Sequence, residues 1–316
     1  MRDHGGNLDW ARAQYGGTDW IDLSTGINRV PYPVPQLSAE AFTALPTAVA
    51  MAGLLRAARR ACKTDAPILA VAGAQAAIQM VPLLCAPGLA RVLSPTYNEH
   101  AAALRACGWR VEEVATFAEL VGADLAVVVN PNNPDGQMKN RRELLDMVGK
   151  VGRLIVDESF ADPYPDGSLA GDAGIAGLIV MRSFGKFYGL AGVRLGFVIG
   201  AEADIARMRD LAGPWPVSGP AIEVGTLALS DSAWASATMQ RLAAEAGMLD
   251  AICVKIGWQP VGGTTLFRLY DTPDAALAQE NLARAQIWSR IFPYSKRWIR
   301  LGLPGSAAEW ARLRAL

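Results

Sequence analysis

The stretch Leu178-Ile179-Val180-Met181-Arg182-Ser183-Phe184-Gly185-Lys186-Phe187-Tyr188-Gly189-Leu190-Ala191-Gly192-Val193-Arg194-Leu195-Gly196 joins a short apolar run to a glycine-punctuated loop that carries Lys186 and Arg194. Residues 178–181 are continuously apolar, with no polar alternation, which predicts a strand buried on both faces. In an open parallel sheet ligands bind outside the carboxyl ends of the strands. Lys186 alone would be an ordinary solvated lysine. Its meaning depends on the residues that cap the neighbouring strands.

On either side of this stretch, apolar runs at 68–71, 91–93, 109–114, 125–129 and 154–156 alternate with helical patterns at 74–84, 99–106 and 141–150. That alternation predicts an α/β fold whose large domain is a mostly parallel sheet flanked by helices. Polar residues come directly after four of the runs: Gly73-Ala74-Gln75, Asn130-Pro131-Asn132-Asn133-Pro134-Asp135-Gly136, Asp157-Glu158, and Ser183 to Lys186. Read singly, the first two are ordinary turns. Asp157 is less ordinary, because a carboxylate entering a core needs a compensating partner. In register at one sheet edge, the four clusters make a site.

Beyond Pro214-Trp215-Pro216 the texture changes to a long helix at 233–256, strands near 265–269 and 298–301, and helices near 275–285 and 307–313, a smaller α+β domain. The first forty-odd residues are rich in Gly, Pro and turn formers and read as an extended arm. The expected division is an arm over 1–44 packing with the small domain, a large cofactor-binding domain over 45–214, and a linking helix with the small domain over 215–316.

Thirty basic residues balance thirty acidic ones in 316. The chain therefore offers no bulk charge for nucleic acid or an anionic membrane, and any anion must be held locally. Hydrophobic content of 51% and charged content of 19% place it among globular chains. No apolar span suits a bilayer and the polar N-terminus does not read as a signal peptide. Four scattered cysteines and two histidines give no metal or disulfide framework, so the expected compartment is the cytoplasm and the expected metal content none.

The stretch 183–196 resembles the S-x-x-K…R-x-G segment of the class I and II aminotransferase family, of pyridoxal-5′-phosphate (PLP) fold type I. The N-P-N-N-P-x-G and D-E motifs stand in the family's order. The resemblance implies PLP as cofactor, attached covalently through Lys186, with Asp157 paired to the pyridine nitrogen; these are the two expected catalytic residues. It implies further cofactor contacts from Asn133 to the ring oxygen, Tyr97 stacked on the ring, and Ser183, Arg194 and the helix start at Ala74 and Gln75 around the phosphate. Arg300, in Trp298-Ile299-Arg300-Leu301-Gly302, resembles the family's arginine for the substrate carboxylate. A homodimer is implied as well. Many members carry a tyrosine three residues after the aspartate; here Phe160 stands there.

His4-Gly5-Gly6-Asn7, Asp22-Leu23-Ser24-Thr25-Gly26-Ile27-Asn28, Ser94 to His100 and Asp157 to Asp162 resemble a branch of the family that decarboxylates a phosphorylated amino acid. His4, Gly5, Gly26 and Asn28 join Arg300 as expected substrate contacts, with the Gly5-Gly6 backbone a candidate anchor for the substrate phosphate. The implied reaction is decarboxylation of L-threonine O-3-phosphate. The alternative, transamination of histidinol phosphate by a close relative, is disfavoured by Phe160 and by the His4-Gly5-Gly6 start.

Overall fold

A computed structural model describes residues 4–316; Met1–Asp3 of the expected arm lie outside the described residues. Two compact units are present. The larger comprises Tyr32–Asn133 and Met138–Ala235, the smaller residues 4–31, Pro134–Gln137 and Ser236–Leu316. Residues 32–44 and 215–235 thus fall with the larger unit, so that its limits differ from the expected 45–214.

The larger unit holds a seven-stranded sheet in the order Ile68–Val71, Gly196–Gly200, Leu178–Ser183, Leu154–Asp157, Leu125–Val129, Leu89–Leu93, Arg110–Val114. The central runs are apolar because both faces are covered: every residue of Leu125–Val129 and Leu154–Asp157 is buried. Arg110–Val114, at the edge, is mostly exposed and carries Arg110, Glu112 and Glu113, charges that discourage pairing with another strand.

One strand of this sheet was not read in the sequence. Gly196–Gly200 runs antiparallel to both neighbours, Ile68–Val71 and Leu178–Ser183. A parallel return needs a long crossover. Here the connection after Ser183 holds only a one-turn helix, Phe184–Phe187, and a 3-10 turn, Ala191–Val193, and is closed by the Phe184 N–H donating to the Leu195 carbonyl at 3.2 Å. The chain doubles back instead, which brings Lys186 and Arg194 to the same end of the sheet.

Strand register sets that end. Val129, Asp157 and Met181 stand level across three parallel strands. The next step is locked by the Asn130 N–H to the Asp157 carbonyl at 2.8 Å and the Glu158 N–H to the Met181 carbonyl at 2.9 Å.

The smaller unit has a four-stranded antiparallel sheet, Arg290–Phe292, Ser295–Gly302, Phe267–Asp271 and Gln259–Gly263, with helices Ala275–Arg284 and Ala307–Arg314. The extended-arm reading of the N-terminus needs correction. Leu8–Tyr15 is helical, and Ile21–Asp22 pairs in parallel with Ile287–Trp288. Apolar positions at Leu8, Ala11 and Tyr15 share one helix face, which packs with Trp20, Ala283 and Trp288 in a satellite core.

Among the described residues no helix is long and apolar enough to cross a membrane.

Candidate active site

Gly73-Ala74-Gln75, Asn133, Asp157, Ser183 and Lys186, from the four clusters at strand ends, line one cavity in the larger unit, together with Tyr97, Phe160 and Arg194. All eight expected cofactor contacts are therefore brought to one place. Lys186 sits in the one-turn helix after Ser183, its Nζ 5.7 Å from the centre of the Phe160 ring. Gly185 allows the turn, since a Cβ there would lie 2.8 Å from Ala191 Cα.

Asp157 is 2% exposed. His100 Nε2 lies 2.8 Å from its Oδ2, while Ser159 donates to Oδ1 through its N–H at 2.9 Å and its hydroxyl at 2.5 Å. Burial pushes the carboxyl up, but the hydrogen bond and charge of His100 and the two bonds from Ser159 more than offset it, leaving the pKa below the ordinary value. An ionised carboxylate only accepts, so Nε2 carries the proton. His100 and Ser159 fall within the motif stretches 94–100 and 157–162, which by themselves assign neither a role. The available signal was weak: His100 lies three residues after Tyr97, and its ring meets the Tyr97 ring edge to face, 6.2 Å apart at 83°.

Around Gly73 the cavity is built to receive an anion. Gly73 takes φ 75°, and a Cβ on it would stand 2.7 Å from Arg194 Nη2; a Cβ on Gly196 would stand 2.6 Å from Ala74 N. The guanidinium therefore occupies space beside the helix start that a side chain at Gly73 would contest. Arg194 itself is held in the left-handed region, φ 55° and ψ 51°, with Nη1 on the Ala191 carbonyl at 3.2 Å. Gln75 donates to buried Glu99 at 3.2 Å and accepts from the Tyr97 hydroxyl at 3.4 Å, which orients both cavity-lining side chains.

Asn133 is buried on the wall, in a loop whose Asn132 accepts from Thr96 at 2.6 Å and donates to the Pro95 carbonyl at 3.1 Å. Tyr188 does not line the cavity. It is stacked between Phe184 (4.6 Å, 13°) and Trp234 (5.5 Å, 14°), so it does not replace the tyrosine missing at Phe160.

Glu158, next to Asp157, is not a cavity residue either. Its carboxylate accepts from Arg182 at 2.9 Å, the Ser168 hydroxyl at 2.5 Å and the Leu169 N–H at 2.6 Å, and Arg182 also reaches Asp162 at 2.6 Å. This buried cluster ties the ends of two central strands to the loop that carries Phe160.

The expected substrate contacts lie in the smaller unit. Arg300, 2% exposed, donates through Nη2 to the Ser24 carbonyl at 2.8 Å and covers the Phe267 ring at 4.9 Å. Gly5 packs so closely on Ser24 that a Cβ would clash with its carbonyl. The Gly6 N–H donates to Ser24 Oγ at 2.6 Å and its carbonyl accepts from Trp288 Nε1 at 2.8 Å. This N–H is engaged within the protein rather than presented to an anion, which corrects the expected use of Gly6 in the Gly5-Gly6 pair. His4 is exposed and Gly26 buried. Asn28 accepts at Oδ1 from Arg241 Nη2 at 2.9 Å, a partner 213 residues away that no motif marks.

The cofactor implied by the sequence fits this lining. An ionised, buried carboxylate matches a protonated pyridine nitrogen, Lys186 supplies the amine, and Gly73, Ala74, Ser183 and Arg194 match a phosphate.

Residues 43–314 match the family model described as aminotransferase class I and II. The chain belongs to the class I and II aminotransferase family. It is 42% identical to a threonine-phosphate decarboxylase of Sinorhizobium, over 98% of this chain and 96% of that one. It is 41% identical to a threonine-phosphate decarboxylase of Pseudomonas aeruginosa, over 100% and 97%. Histidinol-phosphate aminotransferase from Sinorhizobium meliloti, solved in complex with pyridoxal-5′-phosphate, superposes with a TM-score of 0.84 at 18% identity, covering 98% of this chain and 93% of that one; that likeness speaks to the fold.

Proposed function

We propose that this protein is a PLP-dependent carboxy-lyase that converts L-threonine O-3-phosphate to (R)-1-amino-2-propanol O-2-phosphate, the linker used in cobalamin biosynthesis, and that it works as a cytoplasmic homodimer. The observation that carries the reading is end-to-end identity of 41–42% to two threonine-phosphate decarboxylases. Phe160 agrees with it, standing where many transaminating relatives have tyrosine.

When bound, PLP supplies an electron sink for the pair released from the Cα–carboxylate bond. The residues of the chain do the rest. Asp157, kept ionised by His100 and Ser159, holds a proton on the pyridine nitrogen. Arg194, Ser183 and the backbone at Ala74 and Gln75 grip the phosphate, Tyr97 and Asn133 fix the ring's plane and oxygen, and Lys186 anchors the cofactor and later returns a proton to Cα. Arg300 offers two parallel donors to the substrate carboxylate, and His4 and Gly5 face the substrate's phosphate. Holding the molecule at both ends selects which Cα bond breaks.

The test is holo-enzyme with phosphothreonine and no oxo-acid, measuring carbon dioxide. Stoichiometric release of carbon dioxide with aminopropanol phosphate is expected. Oxo-acid-dependent conversion of histidinol phosphate, with no carbon dioxide from phosphothreonine, would overturn the reading in favour of an aminotransferase.

A further inference from the structure

Lys186 stands in a helix of one turn, Phe184–Phe187. Helices shorter than about 12 residues are marginal in water without packing, so a single turn cannot hold itself. The packing begins with its neighbours in the chain. Residues three and four apart share a helix face, and Phe184, Phe187 and Tyr188 are all aromatic and buried. Phe184 is stacked on Tyr188 (4.6 Å, 13°), and Phe187 meets Tyr188 edge to face (5.2 Å, 86°). Lys186, two residues from Phe184 and so roughly 200° around the turn, is left on the other side, where it lines the cavity.

Trp234 joins this cluster from a distant part of the chain. It lies in the first turn of the Ser232–Lys255 helix, stacked on Tyr188 (5.5 Å, 14°) and edge to face with Phe187 (5.6 Å, 75°). Tyr188 is thus enclosed between Phe184 and Trp234. The indole is itself fixed from behind. Its backbone N–H donates to Asp231 Oδ1 at 2.9 Å, and the Tyr32 ring meets it edge to face at 5.2 Å. The Tyr32 N–H also donates to the Tyr188 carbonyl at 2.9 Å. All these ring pairs have the separations at which aromatic side chains attract. Truncating Trp234 would open the far side of the stack and let the turn rock. Nζ, at the tip of a flexible stem, would move most.

We infer that Trp234 is a positioning residue for Lys186: it closes the aromatic face of the turn and so holds Nζ in the cavity. The inference rests on the proposed function, in which Lys186 carries PLP. Trp234 acts through Tyr188 and Phe187 and does not itself line the cavity.

The experiment strips the full chain of cofactor, adds PLP, and follows two events separately. One is binding; the other is the covalent step, in which Nζ adds to the aldehyde carbon and water leaves. Trp234→Leu should slow the covalent step at saturating PLP about tenfold, the scale of one lost aromatic pair, read from the growth of visible absorption. In Lys186→Ala PLP can bind only without that link. Adding Trp234→Leu there should change the PLP dissociation constant less than about twofold, because the effect passes through Lys186. Trp234→Phe keeps a ring on Tyr188, serves if Trp234→Leu does not fold, and should slow the covalent step about threefold. A covalent step of wild-type speed in these variants overturns the inference. So does a loss of PLP affinity in the Lys186→Ala background as large as the loss in covalent rate, which would make Trp234 a support for the whole cavity; the proposed function stands in either case. A borohydride-reducible link that persists in Lys186→Ala overturns the role given to Lys186 in the proposed function, and this inference with it.

Discussion

His100 Nε2 and Asp157 Oδ2 lie 2.8 Å apart, and each side chain is 3% exposed. At that depth an ionised carboxylate survives only with strong donors. His100 and Ser159 together keep Asp157 below the ordinary carboxylate range. His100→Phe should therefore raise the Asp157 pKa and lower kcat by about tenfold to a hundredfold, the scale of removing a donor from a buried charge. His100→Gln, which can still donate, should recover much of the loss. Steady-state kinetics across pH check this. A His100→Phe enzyme with wild-type kcat would mean that Ser159 alone suffices.

The same depressed pKa has a consequence for the fold. The unfolded chain holds its Asp157 proton up to about the reference value of 3.9, whereas the folded one releases it at lower pH. Below that value the unfolded state binds more protons. The stabilisation from this group is thus complete above the unfolded pKa and is lost as pH falls through the folded pKa. Urea unfolding of the apoprotein between about pH 2 and 6 should show a wild-type advantage over Asp157→Asn that shrinks toward acid. An advantage independent of pH would mean that Asp157 is not ionised in the folded protein.

The site was legible wherever chemistry and position coincide along the chain. Lys186, Asp157, Asn133 and Gly73 each come soon after an apolar run, and strand register then places them at one sheet end. His100 and Arg241 were not legible, because their partners lie 57 and 213 residues away and neither sits at a strand end. Gly196–Gly200 escaped because its two glycines weaken the β signal. Its antiparallel direction results from the short connection before it. The N-terminal helix was hidden by the turn formers on either side of it: Gly5 and Gly6 before, Gly16 and Gly17 after. The Gly6 N–H looked available because the sequence gives no sign that Ser24 will bond it.

Phe160 lines the cavity 5.7 Å from Lys186 Nζ and brings no hydroxyl to it. Tyr188, stacked between Phe184 and Trp234, is not on the wall. Phe160→Tyr should add a donor near the cofactor's ring oxygen and stabilise its anionic form. The pH at which the holo-enzyme's visible absorption changes should then move downward, as read by a spectrophotometric titration. An unmoved titration would show that another hydroxyl already serves that oxygen.

Cys253 is 1% exposed in the smaller unit. Burial pushes its thiol up to about 12. The thiolate is the reactive form. At about pH 8, near the ordinary thiol pKa, Cys253 should resist an aromatic disulfide reagent in the folded protein, and Cys62, whose thiol burial also pushes up, should be slow as well, while half-buried Cys85 and Cys107 react sooner. Mass spectrometry of the modified protein gives the order. In urea all four should react alike, and early labelling of Cys253 in native buffer would show that its cover opens readily.

The strongest test of the reaction lies in the substrate rather than the enzyme. Arg300 is buried on the Phe267 ring with one nitrogen held by the Ser24 carbonyl, so its direction is set before substrate arrives. One anchored end leaves the molecule free to rotate; a second anchor at the phosphate removes that freedom. Phosphate binding should therefore contribute to orientation as well as affinity, and L-threonine without its phosphate should lose kcat as well as KM, falling at least about a hundredfold in kcat/KM. Arg300→Lys should lose the paired donors and lower kcat/KM about tenfold or more for phosphothreonine. Deleting the first six residues should impair phosphothreonine far more than free threonine, because in the proposed function only the former has a phosphate for His4 and Gly5 to meet. Parallel assays of carbon dioxide release on the two substrates decide the matter. Equal losses on both after the deletion would give those residues a role in the fold alone, and the phosphate anchor would then have to lie elsewhere in the chain.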